Sequence, residues 1–272
     1  MKCSGASFNH PRAEPHGPAC RCARVELLFA KEARDMARAG VQAQTLCDET
    51  KEGWLRARPY RPRMEAPERG LWPLGFGGSR DGLLYVPREY RADCPAPLAV
   101  MLHGAGDNAR HALSPWRTLA DEVGLILLAP DSRGASWDLI LEDGYGPDVS
   151  FIDQSLAYVF ERYAVDPGRI ALEGFSDGAS YALSLGLTNG VLFTHVVAFS
   201  PGFLTLASRS GEPKVFLSHG VEDEVLHIEP CSRSILPLVE EAGYAVHYRE
   251  FDGPHTIPPE IAREALAWFT TR

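Results

Sequence analysis

Residues 169–186, RIALEGFSDGASYALSLG, place one serine between two glycines at the junction of two sequence patterns. The first part, RIALEGF, is an apolar run with the length and composition of a buried β-strand. The second part begins at Asp177 and carries small and apolar residues at helical spacing. A G-x-S-x-G sequence between a strand and a helix is typical of a nucleophile elbow, a strained turn that exposes a reactive serine. Ser176 is therefore the candidate nucleophile, and the alternative is a tight structural turn.

The sequence around this stretch alternates between short apolar runs and longer segments with helical spacing. Besides RIALEGF, the predicted strands are DGLLYVP, PLAVMLHG, GLILLAPD, HVVAFSPG, KVFLSHG and AVHYREFDG. The predicted helical segments are ARHALSPWRTLADEVG, VSFIDQSLAYVFERYA, SDGASYALSLGLTNG, HIEPCSRSILPLVEEAG and PPEIAREALAWFTT. Strands that alternate with helices form a mostly parallel sheet, because each parallel pairing needs a crossover connection. The sequence therefore predicts an α/β fold with a mostly parallel central sheet and helices on both faces.

The chain is predicted to have two unequal parts. Its 272 residues, 45% of them hydrophobic, suffice for one large α/β domain or two small ones. Residues 1–22 are rich in Pro, Gly, His and Cys and are expected to be poorly ordered, whereas residues 25–52 have a helical composition. Residues 59–78 are punctuated by Pro and Gly like a linker. We therefore expect residues 1–70 to form an N-terminal extension, partly disordered with a helical segment, and residues 71–272 to form the catalytic domain.

Charge and composition exclude several classes of partner. The net charge is −9, and the basic residues are scattered through the first 70 positions, which argues against nucleic acid binding. No run approaches the roughly 18 apolar residues of a membrane span, and the first thirty residues lack the apolar core of a signal peptide. The six cysteines form no C-x-x-C pair, so neither a metal site nor a disulfide framework is indicated. We therefore expect a cytoplasmic protein without membrane insertion.

Polar residues follow several of the predicted strands, and the carboxyl ends of parallel strands meet at one edge of the sheet. His255 lies just past the last predicted strand, in the loop DGPHTIPPE, and is the candidate base that a serine nucleophile needs. For the carboxylate that orients this base, the sequence SHGVEDEV offers Glu222, Asp223 and Glu224 in succession. Asp252 is a further candidate because it lies three residues before His255.

From about residue 80 to the end, the chain resembles the α/β-hydrolase superfamily. The motifs that carry the resemblance are LHGAGDNA (102–109), DVSFI and RYAVDPGRI within 148–170, GFSDGAS (174–180), HGVEDEV (219–225) and DGPH (252–255). Within the superfamily the chain looks like the phospholipase/carboxylesterase group, with kinship to polyhydroxybutyrate depolymerases and feruloyl esterases. The resemblance implies a catalytic triad in which Ser176 is the nucleophile, Asp223 the acid and His255 the base.

The resemblance also implies an oxyanion hole built from the backbone N–H groups of Ala105 and Asp177. Such preorganised donors stabilise the negative charge of the tetrahedral intermediate. A carboxylate beside that charge would oppose it, so we expect the Asp177 side chain to turn away toward a polar partner.

No insertion is long enough for a large cap domain, so we expect an open site. Gly104, Gly106 and Trp137 are the candidate substrate-binding residues, and packing beneath the loop is the alternative for Trp137. These features predict a serine carboxylesterase acting on short- to medium-chain esters, with a small-molecule ester as its partner and without metal or organic cofactor. A lysophospholipase, an acyl thioesterase or a feruloyl-type aryl esterase would use the same triad. A non-catalytic binding protein on a hydrolase scaffold is the alternative from a different class.

Overall fold

The computed structural model describes residues 50–64, 69–142 and 144–271. These residues form one eight-stranded sheet flanked by seven helices. The strands are β1 (Gly70–Pro73), β2 (Gly82–Val86), β3 (Ala96–Leu102), β4 (Ile126–Pro130), β5 (Val165–Phe175), β6 (His195–Phe199), β7 (Lys214–Gly220) and β8 (Val246–Phe251). The helices are α1 (Ala109–Leu113), α2 (Ala120–Val123), α3 (Asp138–Leu141), α4 (Pro147–Arg162), α5 (Asp177–Thr188), α6 (Ser232–Glu241) and α7 (Pro259–Thr270).

The sheet is parallel except at one edge. Its strand order is β1-β2-β4-β3-β5-β6-β7-β8, and β2 is antiparallel to both of its neighbours. From β4 to β8 all pairings are parallel, so these strands end at a common edge. The predicted α/β fold with a mostly parallel sheet is confirmed, and the described residues contain no large cap domain.

Helices cover both faces because the central strands are apolar on both faces. On one face, Leu98, Val100 and Leu172 pack with residues of α4 and α5, and a neighbouring cluster adds α6. On the other face, Ala99 and Ala171 pack with residues of α1, α2 and α7. Alternate side chains of one strand point to opposite faces, so a strand covered on both sides must be apolar at nearly every position. This explains the continuous apolar runs in the sequence.

Three local predictions need correction. The stretch expected to be a linker contains β1, whose register against β2 runs from Gly70 opposite Val86 to Pro73 opposite Leu83. The segment 109–124, expected to be one helix, forms the two short helices α1 and α2 with turns around Pro115. Proline lacks a backbone N–H group and interrupts a helix. Helix α3 follows directly after Trp137, where a loop was expected.

The expected domain boundary at 70/71 lies inside one compact unit, Asp48–Arg272, which also contains the sheet. Leu55 is buried, and its N–H donates to the Asn189 side chain over 2.9 Å. The N–H groups of Arg56 and Ala57 both donate to Asp153 Oδ1. These bonds attach the segment 50–64 to the C-terminal end of α5 and to α4. The predicted disorder and helix within residues 1–49 lie outside the described residues.

No helix among the described residues combines the length and the apolar character that crossing a bilayer requires.

Candidate active site

Ser176 lies in a sharp turn between β5 and α5. Its φ of 55° and ψ of −119° are unusual for a residue with a side chain and store strain in the turn. The turn is held by the Ser176 N–H, which donates to the Phe199 carbonyl at the end of β6 over 2.9 Å. This is the strand–turn–helix context that the G-x-S-x-G pattern predicts.

The two flanking glycines are required by close backbone contacts. A Cβ atom on Gly174 would collide with the carbonyl group of Gly178, because the first turn of α5 folds back over the end of β5. A Cβ atom on Gly178 would collide with the carbonyl oxygen of Leu102 at the end of β3. Helix α5 can therefore approach the sheet closely enough to carry Ser176 only if both positions lack a side chain.

The structure brings the three side chains of the expected triad together from three loops. His255 Nε2 lies 2.9 Å from Ser176 Oγ, and His255 Nδ1 lies 2.5 Å from Asp223 Oδ2. Asp223 follows β7, and His255 follows β8. Both neighbours of Asp223, Glu222 and Glu224, are exposed. Among the carboxylates that the sequence offered, Asp223 is thus the one that contacts His255.

Asp223 is buried and yet stabilised as a carboxylate. Burial alone would raise its pKa, but hydrogen bonds from the Leu226 and Val225 N–H groups and from His255 outweigh burial and lower the pKa. Both backbone bonds go to Oδ1, at 2.8 and 2.9 Å, which leaves Oδ2 for His255. A charged carboxylate at this position holds the imidazole by Nδ1 and favours protonation of that ring during proton transfer.

A second histidine, His219, also contacts the Asp223 carboxylate. Its Nε2 lies 3.1 Å from Asp223 Oδ2 and 2.7 Å from the Leu226 carbonyl, and its Nδ1 lies 2.7 Å from Ser232 Oγ. The side chain is fully buried, and burial lowers its pKa. His219 was not predicted as a site residue, although it precedes Asp223 by only four residues in the sequence.

The turn after β3 is held against the nucleophile. A Cβ atom on Gly104 would lie 3.5 Å from Ser176 Cβ, so the chain passes directly beside the serine. The N–H groups of Ala105 and Asp177 donate to no acceptor within the described residues, whereas the Gly106 N–H donates to the Ala135 carbonyl over 2.7 Å. Two free donors on either side of Ser176 are the arrangement that an oxyanion hole requires.

The His103 ring fixes the orientation of this turn. Its Nε2 accepts a hydrogen bond from the Ser132 N–H over 3.0 Å, so the ring proton resides on Nδ1, which donates to the Gly104 carbonyl over 2.8 Å. The Gly104 carbonyl and the Ala105 N–H belong to one peptide plane and point in opposite directions. The bond therefore directs the Ala105 N–H away from His103. Burial lowers the pKa of His103, which favours the neutral ring.

The Asp177 carboxylate has a polar partner, as expected from the sequence. Ser136 Oγ donates to Asp177 Oδ2 over 2.5 Å. This bond joins the first residue of α5 to the loop after β4 and holds the carboxylate on Ser136.

Trp137 was predicted to bind substrate, but its side chain does not reach the surface of the site. Its side chain is fully buried, its Nε1 donates to the His103 carbonyl over 2.9 Å, and its ring packs between His103 and Tyr181. A side chain without exposed surface cannot contact a substrate in the cleft. Trp137 instead supports the turn that carries Gly104 and Ala105, so the alternative of packing beneath the loop is the correct one.

The loop after β4 is held by Arg80, a half-buried side chain with no role evident from the sequence. Arg80 Nε donates to the Ser132 carbonyl over 2.5 Å, and its Nη2 donates to the Asp107 carbonyl over 2.8 Å. Arg80 therefore joins this loop to the turn after β3.

Asp138 and Asp148 form a second support in this region. Asp138 Oδ2 accepts the Asp148 N–H over 2.8 Å, and Asp148 Oδ2 accepts the Asp138 N–H over 2.7 Å. Burial raises the pKa of both carboxyl groups, that of Asp148 to about 6.

A cavity of about 480 Å³ adjoins His255 on the α1 and α7 side of the sheet. Its wall includes His255 and Gly104, so a molecule in the cavity would lie beside the serine–histidine pair. Gly104 thus lies where a substrate-binding residue was predicted, whereas Gly106 is not part of the wall. Phe175, Leu119 and Ile257 make much of the wall apolar.

Comparisons with known proteins agree with this architecture. The chain aligns with a solved structure of the esterase PE8 at 23% identity and a TM-score of 0.57, over 69% of this chain and 96% of that one. A thermostable esterase aligns at 20% identity and a TM-score of 0.63, over 73% of this chain and 62% of that one. The chain has the α/β-hydrolase fold. Residues 149–260 match the phospholipase/carboxylesterase family model, which confirms the resemblance to that group.

Curated relatives share part of the sequence. A probable feruloyl esterase C from Aspergillus oryzae is 30% identical over 155 residues, which are 54% of this chain and 56% of that protein. A bifunctional acetylxylan esterase/xylanase from Neocallimastix patriciarum is 28% identical over 163 residues, 56% of this chain and 23% of that protein. The aligned part thus spans about half of the first relative.

Proposed function

We propose that this chain is a serine carboxylesterase that hydrolyses short- to medium-chain carboxylic esters. The observation that carries the proposal is the continuous contact from Ser176 Oγ to His255 Nε2 and from His255 Nδ1 to Asp223 Oδ2. A serine hydroxyl becomes a nucleophile only when a base can accept its proton, and the base needs a carboxylate that fixes its tautomer. The named esterases among its relatives and structural neighbours support the same reaction class.

The reaction that we propose has two halves. Ser176 Oγ attacks the ester carbonyl while His255 takes its proton, and the oxyanion that forms accepts hydrogen bonds from the Ala105 and Asp177 N–H groups. The intermediate collapses to an acyl-enzyme when His255 returns the proton to the leaving alcohol. A water molecule that His255 deprotonates then attacks the acyl-enzyme and releases the acid. No metal or organic cofactor takes part in these steps.

A feruloyl-type aryl esterase is the second candidate, and the identity with probable feruloyl esterase C favours it. The cavity beside His255 has apolar and polar walls and a volume that can receive an aromatic ring. A lysophospholipase or acyl thioesterase would share the proposed machinery, and a non-catalytic scaffold would retain the fold without turnover. The cytoplasmic location stays a prediction from the sequence.

Hydrolysis of a substrate panel tests the proposal. The panel contains p-nitrophenyl esters of two to twelve acyl carbons, methyl ferulate, an acyl thioester and a lysophospholipid, each assayed with wild-type protein and with Ser176→Ala. We expect the highest kcat/KM on the short and medium esters, with turnover abolished in the variant. A maximum on methyl ferulate, the thioester or the lysophospholipid would reassign the substrate class. Turnover that persists in Ser176→Ala, or none on any member, would overturn the esterase proposal.

A further inference from the structure

The cavity beside the proposed triad contains a buried acid that the proposed mechanism does not use. Glu173 lies on β5, three residues before Ser176, and is one of the residues that line the cavity. Its neighbours on the same face of the strand, Ala171 and Phe175, are apolar. A glutamate therefore interrupts an otherwise apolar face at the wall of the cavity.

This acid lacks a protein partner. Glu173 is about 1% exposed, and within the described residues its Oε2 is buried without a hydrogen bond. No ion pair that includes Glu173 occurs in the described part of the chain. Burial raises its pKa well above the usual range for a glutamate, which favours the neutral acid.

Within the described residues, no other polar side chain of the cavity wall hydrogen-bonds to Glu173. Asp107 and His111, which belong to the same wall, lie 2.7 Å from each other. His255 is engaged with Ser176 and Asp223. A buried polar group without a partner destabilises a fold, and such groups in native structures call for an explanation. A ligand that hydrogen-bonds to Glu173 would explain the unpaired carboxyl group, because Glu173 and His255 line the same cavity.

We propose that Glu173 is a specificity-determining residue that hydrogen-bonds a hydroxyl group of the ester bound in this cavity. The proposal rests on the proposed esterase function. A neutral carboxyl group has one O–H donor and one carbonyl acceptor, and a hydroxyl group can pair with both. The apolar residues around it, such as Phe175 and Leu119, would pack against the carbon skeleton that carries the hydroxyl. Between two esters that differ only in a hydroxyl on an apolar or aromatic group, the hydroxylated ester should therefore be the better substrate.

The hydroxyl can belong to the acyl half or to the alcohol half of the ester, and two matched substrate pairs distinguish these cases. Methyl 4-hydroxycinnamate is compared with methyl cinnamate for the acyl half, and 4-hydroxyphenethyl acetate with phenethyl acetate for the alcohol half. In wild-type protein we expect kcat/KM to favour the hydroxylated member of one pair by about tenfold, the scale of one hydrogen bond. The pair that shows the preference identifies the half of the ester that occupies the cavity.

Variants of Glu173 connect the preference to this side chain. In Glu173→Leu we expect the ratio of kcat/KM between hydroxylated and unsubstituted ester to fall about tenfold, because donor and acceptor are both removed. Glu173→Gln keeps a donor and an acceptor and should retain most of the preference. Tyr163→Phe is the matched control, since the Tyr163 hydroxyl is also buried without a partner but lies outside the cavity wall. It should leave the ratio unchanged.

Thermal unfolding separates substrate binding from a structural role. If Glu173 acts only on substrate, Glu173→Leu should melt at the wild-type temperature or above it, because an unpaired carboxyl group leaves the core. A lower melting temperature together with an unchanged ratio would show a structural role and overturn the inference. Equal kcat/KM for both members of both pairs in wild-type protein would also overturn it, whichever variants fold. Absence of turnover on all four esters would instead contradict the esterase function itself.

Discussion

Buried carboxyl groups lie close to the candidate site in two regions, the loop after β7 and the first turns of α3 and α4, and their pKa values are shifted in opposite directions. In the first loop, hydrogen bonds outweigh burial and lower the pKa of Asp223. In the second region, burial dominates and raises the pKa of Asp138 and of Asp148, the latter to about 6. Asp223 faces a histidine, whereas Asp138 and Asp148 lie beside each other.

This difference shows how to tell a proposed catalytic carboxylate from a structural one. A carboxylate that must stabilise an imidazolium has to remain ionised, so its surroundings supply N–H donors and a basic partner. Asp138 and Asp148 also accept backbone N–H bonds, but burial outweighs these bonds and raises both pKa values. Burial alone does not distinguish the two cases, because Asp223 and Asp148 are both almost fully buried.

The largest effect is expected at Asp223. Asp223→Asn should lower kcat by about 10⁴-fold, because an amide neither stabilises the imidazolium nor favours the required tautomer of His255. Kinetics on a p-nitrophenyl ester and a circular dichroism spectrum check the prediction. Glu222→Gln is the matched control, since Glu222 is exposed in the same turn, and it should retain wild-type kcat. Equal losses in both variants would contradict the role assigned to Asp223.

Asp148 should affect stability with the opposite pH dependence. Its pKa rises from the ordinary 3.8 to about 6 on folding, so between these values the folded state binds more protons than the unfolded state. This contribution is fully present only below the unfolded-state pKa of 3.8 and is lost as pH rises through 6. Relative to Asp148→Asn, the wild-type free energy of unfolding should therefore fall by about 2 kcal/mol between pH 4 and pH 7.

Urea denaturation of both proteins at several pH values measures this difference. Relative to Asp223→Asn, the wild-type free energy of unfolding should change with pH in the opposite direction. The lowered pKa of Asp223 stabilises the folded state above pH 4, and this stabilisation is lost as the pH falls further. The same pH trend in the two comparisons would refute the distinction between the two regions.

A smaller effect is expected at His103, which joins the loop after β4 to the turn after β3. His103→Ala removes the bond that orients the Gly104 carbonyl and hence the Ala105 N–H, so kcat should fall about 100-fold, as for loss of one oxyanion donor. KM should change little, because the bond acts on the transition state. Steady-state kinetics provide the measurement, with exposed His227 replaced by alanine as the control. A rise in KM at constant kcat would show that His103 acts on substrate binding instead.

The smallest effect is expected at Trp137. Trp137→Phe keeps an aromatic ring but leaves the buried His103 carbonyl without its donor, which should lower the free energy of unfolding by about 2 kcal/mol. KM for p-nitrophenyl acetate should stay within about twofold of wild type. A tenfold rise in KM with unchanged stability would restore the direct substrate contact that the sequence suggested.

Much of the fold could be predicted from the sequence because its central strands are apolar on both faces and are separated by helical segments. β1 was not predicted because GLWP is short and lies among Gly and Pro; it becomes a strand by pairing with β2. The division of residues 109–124 into two helices depends on turns that the spacing of apolar residues does not reveal. The sequence therefore indicates the elements with strong periodicity and misses those that depend on tertiary contacts.

The candidate site was likewise predicted only in part from the sequence. Ser176 and His255 were predicted from their positions after strands, whereas the choice of Asp223 among several carboxylates came from the resemblance to the α/β-hydrolase superfamily. Trp137 was misassigned because the sequence does not show whether an aromatic residue after a strand packs inward, which here depends on contacts with His103 and Tyr181. Glu173 was visible as an acid within an apolar run, but the cavity on whose wall it lies exists only in the folded chain.

The central claim is that the proposed triad makes Ser176 reactive. Treatment with a fluorophosphonate probe, followed by peptide mass spectrometry, tests it most directly. We predict one adduct per chain, located on Ser176, with labelling abolished in Ser176→Ala and greatly slowed in His255→Ala. An adduct on another residue, or equal labelling of wild type and Ser176→Ala, would contradict the account.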